Sequence, residues 1–144
     1  LRDNPALQMV GCHYWHCAAD GSLIEEVTDV KTDPRDIYCT LITGRCKIGA
    51  PMFRKSLWEE LGGFDETNFP RCAEDFDFFL RCVERYPEGI AGVPEMLFGY
   101  RNSPISITKS PYFRDYWKAI DMSRERRKQN GRPTQSPGAT ASAS

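Results

Sequence analysis

No stretch of this chain approaches the ~20 consecutive apolar residues that a helix needs to span a bilayer, so no membrane-crossing helix is expected. An excess of one charge is also missing. Nineteen Lys and Arg against 20 Asp and Glu leave a formal net charge of −1, which gives no electrostatic reason to expect a nucleic-acid partner. There is no Gly-rich loop to cradle a phosphate, no internal repeat, and no opening segment that reads as a signal peptide. The six cysteines (Cys12, Cys17, Cys39, Cys46, Cys72 and Cys82) include no CxxC pair. They are also sparser than in the disulfide scaffold of a small secreted domain. Most sit in apolar or strand-like surroundings and read as small core residues.

What is present suits one modest core. The chain has 144 residues, 40% apolar and 27% charged, which are ordinary globular values and leave little room for a second core. The alternation from Met9 to Ala18 predicts a strand, Asp20-Gly21 a hairpin turn, and Leu23 to Val30 the returning strand. Asp33-Pro34 followed by Asp36 predicts a capped helix start, with the helix running to about Thr43 and Gly44 ending it. Cys46 to Phe53 reads as a strand. Arg54 to Leu61 reads as a short helix with Leu57, Trp58 and Leu61 inward and Gly62 as its C-cap. Cys72 to Tyr86 reads as a helix with a core stripe of Phe76, Phe79, Leu80 and Val83. Ile90–Val93 and Met96–Arg101 read as two short strands around Pro94.

Ser110-Pro111 should start a last helix, with Phe113, Tyr116, Trp117 and Ile120 inward. Beyond Ile120, Arg124, Arg126, Arg127, Lys128 and Arg132 read as a solvated helix end, with a weak anchor for anionic lipid or an acidic partner as the alternative. From Gly131 to Ser144 the composition predicts a disordered tail.

The run Cys12-His13-Tyr14-Trp15-His16-Cys17 invites a metal site. As a strand it puts Cys12, Tyr14 and His16 on one face and His13, Trp15 and Cys17 on the other. Cys12 and His16 would then lie ~13 Å apart at ~3.3 Å per residue. An aromatic strand is therefore the favoured reading over zinc.

The densest chemical signal lies between Gly62 and Arg81. Gly62-Gly63-Phe64-Asp65-Glu66 leads through a loop to Glu74-Asp75-Phe76-Asp77 and Leu80-Arg81. Arg54-Lys55-Ser56-Leu57 precedes it; Val93-Pro94, Tyr100-Arg101 and Ser106-Ile107 follow in order. Upstream stand Asn4-Pro5, Val10-Gly11 and Asp20-Gly21. This ordered series, from about Leu1 to Lys109, resembles the acceptor-side half of family-2 glycosyltransferases with the GT-A fold.

That resemblance implies an α/β fold, a mixed sheet with flanking helices forming part of a GT-A (Rossmann-like) domain. Residues 1–109 would be the acceptor-side half, 110–130 a C-terminal amphipathic helix and 131–144 the tail. It implies sugar transfer from a nucleotide-sugar donor to the hydroxyl of a glycan or other acceptor, with inversion. Asp75 would be the general base, and Gly63, Phe64, Asp65, Glu74 and Arg101 would bind substrate.

The family's metal-binding Asp-x-Asp and nucleotide-binding half would precede Leu1. The chain is therefore expected to be inactive on its own, without a metal site, and Mn²⁺ or Mg²⁺ would come only with the missing half. Asn102 and Ser103 stand where the family often carries a His. A cytoplasmic location and self-association through the flank left by the missing half are expected. A non-catalytic remnant that binds a sugar or a protein is the alternative.

Residue chemistry refines this reading. Asp75 falls at the flank of the α-helical stripe, beside Phe79, Cys82 and Tyr86, where the helix N-terminus should keep it ionised. Asp75-Phe76-Asp77 spells Asp-x-Asp, but residues two apart on a helix point about 200° apart and cannot grip one ion. Asp77 is expected in solvent or as a cap partner, and Glu74 on the polar face. Trp58 reads as core or as a sugar-stacking ring; Arg101 reads as a diphosphate ligand or an ion-pair partner.

Overall fold

A computed structural model of the chain describes residues 1–45, 47–106 and 111–131, with the backbone alone at 113. The described elements are β1 (Met9–Cys17), β2 (Leu23–Val27), α1 (Pro34–Ile42), β3 (Gly49–Phe53), α2 (Lys55–Leu61), α3 (Glu74–Arg85), β4 (Ile90–Arg101) and α4 (Asp115–Gln129). A 3-10 turn over Pro111–Arg114 precedes α4. The fold class is mixed α/β, as expected.

β1 is the hub of the sheet. Its first half pairs antiparallel with β3, Met9 opposite Phe53 and Cys12 opposite Gly49. Its second half pairs antiparallel with β2, Tyr14 opposite Val27 and Cys17 opposite Leu23. β4 runs parallel to β1 over the whole length, from Met9 opposite Ile90 to Cys17 opposite Arg101. A strand has two edges, so β2 and β3 share one and β4 takes the other.

Local signals account for most boundaries. The Asp20 carboxylate accepts from the Ser22 backbone N–H at 2.9 Å and from its hydroxyl at 2.7 Å, closing the β1–β2 hairpin. Asp33 caps α1, its Oδ1 accepting from the Arg35 N–H at 2.9 Å, with Pro34 in the first turn. Gly62 ends α2 in the left-handed region at φ 74°.

Three strand readings need correction. β2 stops at Val27 rather than Val30, and the described part of β3 begins at Gly49; Cys46 lies outside the described residues. The two strands expected around Pro94 are one, because the ladder skips Pro94 and Glu95 between Cys12↔Val93 and His13↔Met96. That bulge spares the sheet the N–H that proline lacks.

α3 is buried on more than one side. Phe76, Leu80 and Val83 are inside as expected, but so are Phe78, Cys82 and Asp77, while Phe79 is only half-buried. Contacts with α1, α2 and α4 surround this helix, and a single-stripe reading cannot anticipate that.

In α4, Ala119 and Ile120 join the core, Tyr116 packs against it, and Trp117 faces outward at 60% exposure. The basic end is not simply solvated. Arg126 binds Glu84 through two hydrogen bonds of 2.7 and 2.9 Å, and Arg127 is buried. Ser110, the side chain of Phe113, Arg132 and the expected tail from 132 onward lie outside the described residues.

Candidate functional site

The parallel pairing of β1 with β4 sets Tyr14 beside Phe98 and His16 beside Tyr100 on one face of the sheet. The rings meet edge-on, Tyr14 to His16 at 5.4 Å and His16 to Tyr100 at 5.4 Å between centroids. From the other side α3 contributes Asp75, Phe76 and Phe79, and α4 contributes Tyr116, whose ring lies 5.1 Å from that of Phe76. Between them opens a cavity of about 410 Å³, whose rim also carries Lys47 and Asn102. A second hollow of about 370 Å³ shares Asp75, Tyr100 and Tyr116 and adds Arg71, Glu74 and Ser106. Asp75 therefore borders both.

Asp75 sits in the first turn of α3, after Ala73 in the left-handed conformation at φ 70°. Its Oδ1 accepts from the Phe76 N–H at 2.7 Å. Burial pushes its carboxyl above the ordinary value, the Phe76 N–H pulls it back, and neighbouring Glu74 adds to the rise. The direction is opposite to that expected from the helix N-terminus, because desolvation outweighs the terminal field. Burial likewise raises the phenols of Tyr14 and Tyr116, and in Tyr116 the Asp75 charge adds to it. Lys47 at the rim is held by Asp29, Nζ to Oδ2 at 2.9 Å.

The other expected binding residues lie elsewhere. Gly63, Phe64 and Asp65 line a separate hollow of about 420 Å³ with Arg81, from which Asp75 is absent. Phe64 packs edge-on to Trp58 at 4.8 Å and to Phe78 at 5.8 Å. The Gly63 carbonyl accepts from Arg81 at 2.7 Å. Asp65 caps the next turn, taking the Asn68 N–H at 2.9 Å and side-chain amide at 2.7 Å, which holds its carboxyl below the ordinary value. Trp58 belongs to this aromatic cluster, stacked on Phe53 at 5.9 Å, so its role is packing. Arg101 is exposed at the end of β4, opposite Cys17. Glu74 is half-buried on the second hollow rather than free on a polar face.

Asp77 is the largest departure. It is fully buried, with Oδ2 2.7 Å from Arg81 Nε and Oδ1 3.2 Å from Arg126 Nη1. Two guanidinium groups hold it inside the fold, off the cavity that Asp75 borders.

The chain matches no family model and no curated protein. Tyr14, His16, Tyr100, Asn102 and Tyr116 were not singled out as site residues from the sequence. The hints were the shared strand face of Tyr14 and His16 and the family-like Tyr100-Arg101 segment with Asn102 after it; nothing local brings Tyr100 and Tyr116 to that face. Among the described residues, no three His, Cys, Asp or Glu side chains are grouped to hold a metal ion. No described helix is long and apolar enough to cross a membrane.

Proposed function

We propose that this chain is the acceptor-side part of a GT-A-type glycosyltransferase of family 2, with Asp75 as its general base. The observation that carries the reading is a half-buried carboxylate of raised pKa at the border of an aromatic cavity. A carboxylate above its ordinary value is a stronger proton acceptor once ionised, which suits abstraction from a hydroxyl near neutral pH. The acceptor O–H donates to Asp75; as that oxygen bonds to the anomeric carbon the proton passes to Asp75 and the nucleoside diphosphate leaves with the old bond's electrons. By the resemblance, the donor and the Mn²⁺ or Mg²⁺ that accompanies it would be held by a donor-binding half and not by the residues named here.

The test is Asp75→Asn in an enzyme that carries these residues behind a donor-binding half. Turnover is expected to fall ~10²–10⁴-fold with the fold intact. Near-normal turnover would refute the base assignment. A second reading, a non-catalytic sugar-binding module, draws support from the separation of the Gly63–Asp65 hollow from the cavity at Asp75.

A further inference from the structure

We propose that the cavity between β1, β4, α3 and α4 binds a neutral pyranoside, with Tyr100 and Tyr116 against the C–H faces of the ring and Asp75 accepting a hydrogen bond from a ring hydroxyl. The inference rests on the reading of Asp75 as an acceptor-side residue and names the class of acceptor. It departs from the resemblance, which would put that ligand on Gly63, Phe64 and Asp65.

The lining selects the ligand. Aromatic side chains from three separate elements, Tyr14 and His16 on β1, Tyr100 on β4 and Tyr116 on α4, converge on one space. Flat apolar rings with a few polar groups at the rim match a molecule that is apolar on its faces and polar around its edge. The volume of about 410 Å³ lies at the low end for small-molecule sites, room for a ring or two rather than a long chain.

Charge narrows the choice. Asp75 repels an anion, and the Lys47 ammonium on the same lining, already held by Asp29, offers an anion little in return. The raised Asp75 carboxyl agrees, because a dry carboxylate gains from hydroxyl donors and loses beside another anion. His16 adds a polar point of contact. Its Nδ1 is buried without a hydrogen-bond partner, a state that costs stability. A ligand hydroxyl would relieve it after a small rotation of the ring.

The experiment is titration of the ¹⁵N-labelled chain with neutral methyl glucoside, galactoside and N-acetylglucosaminide, and with methyl glucuronide as the charged control. Shifts are expected to concentrate at Tyr14, His16, Tyr100, Asn102 and Tyr116, with a neutral glycoside bound more tightly than the glucuronide. Tyr116→Leu and Tyr100→Leu keep apolar bulk while removing the aromatic face, and each should weaken binding about 3- to 10-fold. Thermal melts show whether each variant is folded, and the shift map on the unaltered chain stands if one is not.

Shifts confined to residues 61–67, affinity unchanged in both leucine variants, tighter binding of the glucuronide, or no binding of any neutral glycoside would each overturn the proposal. The outcomes separate it from the catalytic reading. Glycoside binding in this cavity without loss of turnover in Asp75→Asn leaves a sugar site and removes the base. Loss of turnover with shifts at residues 61–67 keeps the base and removes the cavity.

Discussion

Replacing Asp77 by Asn changes one buried charge and almost no volume, so it isolates the ion-pair network at the centre of α3. The carboxylate is 1% exposed and touches two guanidinium groups, Arg81 at 2.7 Å and Arg126 at 3.2 Å. Arg126 keeps its two bonds to Glu84 in the variant. Among the described residues Arg81 forms no other salt bridge, with the Asp65 charge acting on it only at longer range; it is only 17% exposed, and it also holds the Leu61 and Gly63 carbonyls at 2.7 Å each. Removing one member of a buried pair costs ~3–5 kcal/mol because the remaining charge is stranded. Since Arg126 is spared that fate, the lower end applies, ~3 kcal/mol.

For a domain of this size that is ~10 °C in Tm, a large share of a total stability of ~5–15 kcal/mol. Asp77→Ala adds a cavity and should cost more. The assay is thermal and urea unfolding followed by circular dichroism, with the m-value checked for constancy. A fall below ~2 °C for Asp77→Asn would show that water already reaches this carboxylate and that the network reasoning is wrong. On the proposed base reading, an Asp77 variant lowers activity through lost stability and not through lost chemistry, so activity has to be compared at temperatures where both variants are folded.

Asp75→Asn should stabilise the chain at pH 7 and leave it unchanged near pH 3. Its carboxyl is raised in the folded state, so folding favours the protonated form, and stability declines as pH climbs from the ordinary carboxylate value through the raised one. A melting-temperature profile against pH for both proteins checks this; a variant less stable at pH 7 would refute it. Gly63→Ala should cost ~2–4 kcal/mol, since φ is +72° and a Cβ would stand 2.7 Å from Trp58 Cζ2. Gly62→Ala, at φ +74° with open space around it, should cost only ~1 kcal/mol of strain in the same urea titrations.

The features legible in the sequence were those set within one turn of chain. Asp33-Pro34 and Gly62 marked helix ends because their chemistry acts on neighbouring N–H and C=O groups, and Asp20-Gly21 marked the hairpin for the same reason. Asp75 stood out as an acid in the first turn of α3. What could not be read depended on partners far along the chain. Phe78, Cys82 and Asp77 are buried because α1, α2 and α4 all pack on α3, whereas a helical wheel assigns one inward side. Arg126 looked like a solvent-facing cation until Glu84 and Asp77 were brought to it. The aromatic cavity exists because β4 lies parallel to β1, and no periodicity encodes that neighbour.

The arrangement around β1 also dictates an order of events when the chain folds. Its hairpin with β2 closes over a few residues and costs little loop entropy, and β3 follows from the middle of the chain. The β4 side of β1 must wait for residues 90–101, a parallel pairing that closes a loop of most of the described chain. Loop closure on that scale precedes any gain from the ladder, and non-local pairings of this kind slow folding. During synthesis the long edge of β1 stays uncovered until Arg101 has emerged. In that interval the strand that carries Tyr14 and His16 is open to pairing with another chain.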